Sequence, residues 1–118
     1  MSTIAIDFDG VLSDYSGWKG REAPLDGPVV GAIQAIRDYQ DAGLTVVIYT
    51  SRADSASGVT MIERWLREHG LQQRRIDSIT ITDRKPPAIV YLDDRAVCFF
   101  GIFPTPENVK AFKTWKGF

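Results

Sequence analysis

The stretch Thr3-Ile4-Ala5-Ile6-Asp7-Phe8-Asp9-Gly10-Val11 decides the reading of this chain. Its apolar residues run almost unbroken up to Asp7. A strand with one wet face would alternate apolar and polar residues. A continuous apolar run bounded by a glycine suits a strand buried on both faces of a parallel sheet. Residues 44–49, Leu44-Thr45-Val46-Val47-Ile48-Tyr49, form a second such run, which is followed by Thr50-Ser51-Arg52. Residues 88–92, Ala88-Ile89-Val90-Tyr91-Leu92, form another and end in Asp93-Asp94. A weaker strand is expected over residues 76–82.

Helical patterns separate these runs. Asp26-Gly27-Pro28 is a helix start signal, with proline in the first turn. Val29, Ile33, Ile36 and Gln40 follow at helical spacing, and Gly43 stops them. Ser57 or Asp54 can cap the next helix. It carries Val59, Ile62, Leu66 and His69 on one face and ends at Gly70, which gives His69 a structural or capping role. Residues 10–27 and 83–87 read as loops, residues 97–103 as extended chain, and residues 106–113 as a short last helix. Strands alternating with helices predict an α/β fold: a three-layer, Rossmann-like sandwich around a mainly parallel sheet, in one domain over residues 1–118.

Composition agrees and excludes other classes. The 118 residues hold 14 Lys+Arg against 15 Asp+Glu, so no strongly basic surface advertises nucleic acid. The one cysteine, Cys98, forms no internal disulfide and no Cys-based zinc site; its apolar surroundings predict a core position. No apolar run approaches the roughly 20 residues that span a bilayer. Met1-Ser2-Thr3-Ile4-Ala5 lacks the features of a signal peptide, so a cytoplasmic location is expected. Six aromatics fall within residues 99–118: Phe99, Phe100, Phe103, Phe112, Trp115 and Phe118. They are expected to close one edge of the core; the alternative is a homodimer interface on an otherwise monomeric chain. The acids are uneven, with eleven Asp and four Glu. Asp favours turns, caps and metal sites over helix interiors.

In parallel sheets ligands bind beyond the carboxyl ends of the strands. There the sequence gathers Asp7, Asp9 and Gly10 after the first strand, and Thr50, Ser51 and Arg52 after the second. Lys85 enters the last strand, and Asp93 and Asp94 follow it. Four carboxylates this close repel one another unless a counter-charge joins them. A divalent cation with oxygen ligands, Mg²⁺, meets that need and leaves room for a phosphate. Lys85 and Thr50 then read as a phosphate clamp, a duty that Arg84 or Arg52 could share.

These residues spell a family pattern. Asp7-Phe8-Asp9-Gly10-Val11 resembles the first motif of the haloacid dehalogenase superfamily. Val46-Val47-Ile48-Tyr49-Thr50 resembles its second, Lys85 stands where the third places its lysine, and Ile89-Val90-Tyr91-Leu92-Asp93-Asp94 resembles the fourth. The motifs span residues 4–94 in the family's order. Phe100-Gly101-Ile102-Phe103-Pro104 and Lys113-Thr114-Trp115-Lys116 further resemble small members from phages and bacteria. A looser resemblance links the chain to the phosphatase domains of polynucleotide kinase-phosphatases.

The resemblance implies an Mg²⁺-dependent phosphatase, acting on phosphomonoesters. Asp7 would be the nucleophile, forming an aspartyl-phosphate, and Asp9 the general acid and then base. Gly10, Thr50, Ser51 and Lys85 would bind phosphate. Asp7, Asp9 (through its backbone carbonyl), Asp93 and Asp94 would serve the metal, with the direct ligand of the last pair left open. Neither interval between motifs is long enough for the cap domain that many members insert. An open mouth admits a small molecule or a nucleic-acid end. Tyr15, Trp18, Lys19 and Arg21 offer stacking and charge for the latter, although Trp18 packing on the sheet is the simpler expectation.

Two other classes compete. A receiver-type phospho-acceptor module needs its Thr/Ser and Lys after the acceptor Asp. Here Thr50 precedes Lys85, and Lys85 precedes the last acidic pair. A catalytically silent phosphate binder would not need both Asp7 and Asp9.

Overall fold

The computed structural model describes residues 2–118. Strand β1 (Thr3–Ile6) is followed by helix α1 (Ala32–Asp41), β2 (Thr45–Tyr49) and a 3₁₀ turn (Ser51–Asp54). Then come α2 (Ala56–Glu68), α3 (Gln73–Asp77), β3 (Thr80–Thr82), β4 (Val90–Leu92) and α4 (Pro106–Lys110). The four strands form one sheet in the order β3-β2-β1-β4, and every pairing is parallel. The architecture is an α/β Rossmann-like sandwich without an inserted cap. Among the described residues, no helix is long and apolar enough to cross a membrane.

β1 is central, and its apolar run explains why. Ile4, Ala5 and Ile6 are all buried, so both faces of the strand are covered. Ile4, Ile6 and Phe8 join Val46 and Ile48 of β2, Ile36 of α1, and Ile62, Trp65 and Leu66 of α2 in one core. Phe8 meets the Trp65 ring edge-on, with centroids 4.9 Å apart. Removing such a ring from a packed core costs about 3–5 kcal/mol.

Several local expectations give way to longer-range bonds. α1 begins at Ala32, not at Pro28. Residues 27–29 pair instead with the loop after β1: the Asp14 N–H donates to the Gly27 carbonyl at 2.7 Å, and the Val29 N–H to the Leu12 carbonyl at 2.8 Å. Gly31, at φ 86°, then turns the chain into the helix. Asp26 is not a cap; its carboxylate accepts from the N–H and hydroxyl of Ser16. α2 is capped by Ser55, whose hydroxyl accepts from the Gly58 N–H, and not by Ser57 or Asp54. His69 is the exposed C-cap residue of α2.

The expected strand over 76–82 divides. Residues 73–77 are helical, with Ile76 in the core, and only Thr80–Thr82 joins the sheet. α3 is held from outside: Gln40 Nε2 donates to the Arg75 carbonyl at 3.0 Å, and Arg75 pairs with Asp41 at 3.0 Å. β4 is short and lies at the sheet edge, with Val90 and Tyr91 exposed. Among the described residues no further strand follows it. Residues 97–103 therefore join no ladder, and Cys98 is exposed rather than in the core. The aromatic tail does not close the core either: Phe99, Phe100, Phe103, Trp115 and Phe118 are all substantially exposed. α4 ends at Lys110, short of the expected 113.

Candidate active site

The parallel register brings the acidic residues together. Ile6 of β1 aligns with Ile48 of β2 and Leu92 of β4. One residue on, Asp7 and Asp93 leave neighbouring strands side by side, and the Asp7 N–H donates to the Leu92 carbonyl at 2.9 Å. Carboxylate oxygens of Asp7, Asp93 and Asp94 all lie within 4.8 Å of one another. Asp93 Oδ1 accepts from the Arg95 N–H at 2.7 Å, a turn at the end of β4.

Asp7 carries the electrostatic consequence. Its carboxyl is raised from 3.8 to about 7, first by burial, then by contact with the Asp94 carboxyl and the charge of Asp93. A hydrogen bond from the Phe8 N–H to Asp7 Oδ1, at 2.8 Å, opposes the shift without cancelling it.

Gly10 makes room for this cluster. An added Cβ would lie 2.2 Å from Asp94 Oδ2, and the residue sits at φ 84°. Its carbonyl accepts from Trp115 Nε1 at 2.7 Å, so the C-terminal segment ties down the loop after β1. Lys116 adds an ion pair to Asp14 at 2.5 Å. Gly10 is thus required by shape and conformation, and its N–H already donates to the Ser13 carbonyl at 3.0 Å. Gly10→Ala should cost about 1–2 kcal/mol from the left-handed backbone alone. Equilibrium denaturant unfolding checks this; an unchanged midpoint would contradict it.

Asp9 stands apart from the acidic triplet. Its Oδ2 accepts from Arg52 Nε at 2.7 Å, and Arg52 is nearly buried, with a side-chain exposure of 10%. The Arg52 guanidinium lies over the Trp18 ring, 4.9 Å from its centroid. Trp18 is therefore not packed on the sheet but exposed beside the site. Thr50 is buried, and its hydroxyl accepts from the Arg52 N–H at 3.2 Å, which fixes the turn carrying Ser51 and Arg52. Asp7, Asp9, Thr50, Ser51, Asp94 and Arg95 line one small pocket of about 230 Å³, together with Tyr15 and Trp18.

Neither Lys85 nor Arg52 lines this pocket; Arg52 lines the adjoining groove and reaches the site through Asp9. The Lys85 ammonium sits over the Tyr91 ring, 4.7 Å from the centroid, and the Tyr91 hydroxyl donates to the Pro86 carbonyl. The cation beside Asp9 is Arg52, expected from the sequence only to share the duty of Lys85. Its signal was position, two residues past Thr50 in the same strand-end loop. Arg95 and the Trp115 tether carried no comparable signal.

The donor set suits a small hard cation. Three carboxylates converge, and Asp94 Oδ1 is buried with no hydrogen-bond partner. Asp9 Oδ1 is likewise buried and unpartnered. Buried carboxylate oxygens without donors are costly unless something positive meets them.

No family model matches this sequence, and no curated protein matches it. Two solved structures align with this chain. A conserved protein from Bacteroides thetaiotaomicron aligns over 98% of this chain and 94% of its own, with a TM-score of 0.59 at 20% identity. A D,D-heptose 1,7-bisphosphate phosphatase from B. bronchiseptica, complexed with magnesium and phosphate, aligns over 73% of this chain and 52% of its own. Its TM-score is 0.47 at 24% identity.

Proposed function

We propose that this chain is an Mg²⁺-dependent phosphomonoester hydrolase in which Asp7 attacks phosphorus. The observation that carries the reading is the meeting of Asp7, Asp93 and Asp94 at the carboxyl edge of the sheet, beside a separate Asp9–Arg52 pair. One group of acids is left in need of a cation. The other acid has a cation already and a free oxygen. That division suits nucleophile and proton carrier as distinct roles.

The chemistry balances on these residues. An Asp7 carboxylate oxygen forms a bond to phosphorus while the ester P–O bond breaks. The departing oxygen takes a proton from Asp9, whose Oδ1 has no competing partner. Arg52 supplies positive charge to the phosphoryl oxygens, which compete with Asp9 for the guanidinium as substrate arrives. Thr50 and Ser51 offer hydroxyl donors at the same mouth. Water then attacks the aspartyl-phosphate, giving its proton to Asp9, and the P–O bond to Asp7 breaks to release phosphate. Asp7, Asp93 and Asp94 are the residues that would hold Mg²⁺, which when bound neutralises and orients the phosphoryl group.

Hydrolysis of an aryl phosphate, with Mg²⁺ and with a chelator, tests the proposal. Turnover that persists unchanged in the chelator would sink it.

The raised Asp7 carboxyl gives a second expectation. A folded-state value of about 7 against an ordinary 3.8 means that the fold holds this proton more tightly than the unfolded chain does. That contribution is full below the ordinary value and is lost as pH rises through about 7. The metal-free protein should therefore lose melting temperature as pH rises from about 4 to about 7, and little more above that. Mg²⁺, which replaces the proton, should restore more at the higher pH. Thermal melts in chelator and in Mg²⁺ check this, with Asp7→Asn flattening the chelator curve. A melting temperature that rises through this window without metal would contradict it.

A further inference from the structure

We infer that the groove beside the acidic pocket is a leaving-group subsite for a flat aromatic ring, which makes the substrate a phosphomonoester of nucleoside type. This rests on the phosphomonoesterase reading above. The groove encloses about 580 Å³, within the roughly 300–1,000 Å³ usual for small-molecule sites. The acidic pocket, at about 230 Å³, is smaller than that range. Trp18 and Ser51 line both spaces, so the rest of a substrate leaves the pocket past the indole.

Trp18 is shaped for that contact. It is 59% exposed, and Arg52 holds it in place by lying over the ring. The far wall is α2. Gly58 lets that helix approach the site closely: an added Cβ would fall 1.8 Å from the Arg52 carbonyl. One turn on, Met61 offers an adaptable apolar surface, and Arg64 lies beyond it. Arg21 in the same groove is occupied by its ion pair with Asp54. Arg64 makes no ion pair or side-chain hydrogen bond among the described residues, so its donors are free for acceptor atoms on a ring edge. A nucleobase satisfies both demands, with a face for Trp18 and acceptors for Arg64.

The test compares adenosine 5′-monophosphate with glycerol 2-phosphate on the full chain in Mg²⁺. Thr60→Trp places a bulky ring in the groove from an exposed position on α2. It should raise KM for the nucleotide about ten-fold and leave glycerol phosphate turnover within about two-fold. Trp18→Ala should raise the nucleotide KM more than that of glycerol phosphate, and Trp18→Phe should restore most of the loss. Equal effects on both substrates, or none, would overturn the subsite. Saturation-transfer NMR with unphosphorylated adenosine separates the two proposals. Adenosine signal that Thr60→Trp abolishes supports the groove even if neither phosphate is hydrolysed, in which case the phosphatase reading falls alone. Absence of any adenosine signal, with glycerol phosphate still hydrolysed, overturns the groove and leaves the phosphatase reading standing.

Discussion

Asp7→Asn should lower phosphomonoester turnover by at least about 10³-fold while raising the melting temperature of the metal-free protein. Both effects follow from one geometry. Asp7 is the member of the acidic cluster at the end of the central strand, half-buried, with its Oδ1 oriented by the Phe8 N–H. An amide in its place keeps the size and can still accept that bond, but it is a poor nucleophile. It also removes a carboxyl that burial, Asp94 and Asp93 all push away from its charged form. A purely structural acid would behave oppositely, its loss lowering stability and sparing any activity. Activity retained at more than about a tenth, or a lowered melting temperature in chelator, would contradict the assignment.

Arg52→Ala should cost about 10²–10³-fold in kcat, the scale set by removing a preorganised charge from a developing anion. Arg52 is nearly enclosed, held by Asp9 on one side and Trp18 beneath. Its Nε is used by Asp9, which leaves the terminal nitrogens for phosphate. Lysine has neither the fork nor the flat face, so Arg52→Lys should not restore the rate. Lys85→Ala should change kcat less than about two-fold, since that ammonium lies over Tyr91 and pairs with none of the site's acids. Steady-state kinetics of the three variants decide the matter. A large loss in Lys85→Ala with a small one in Arg52→Ala would return the phosphate-binding role to the lysine.

The fold was legible where burial dictates sequence. The unbroken apolar runs of β1 and β2 reflect strands covered on both faces, and their pattern fixes a parallel sheet. The acidic strand ends were legible for the same reason, since polar residues stop such runs at the rim. β4 shows the limit: Val90 and Tyr91 are apolar yet exposed, because the strand lies at an edge and nothing in its own residues says so. The aromatic residues of the tail misled in the same way. Composition expects them inside, but the sheet offers them no further strand to pack on. α1 and α3 shifted because bonds from residues distant in sequence, Leu12 to Val29 and Gln40 to Arg75, override local start signals. Lys85, expected at the phosphate from its place before the last strand, lies over the Tyr91 ring, whose hydroxyl donates to the Pro86 carbonyl.

The central claim is that Asp7 itself carries the phosphoryl group. Rapid acid quench during turnover of an aryl phosphate in Mg²⁺, followed by peptide mass spectrometry, tests it most directly. The account predicts a phosphoryl adduct on Asp7, lost on treatment with hydroxylamine and absent from Asp7→Asn. A phosphoryl group found on another residue during turnover, or an adduct that persists in Asp7→Asn, would contradict it.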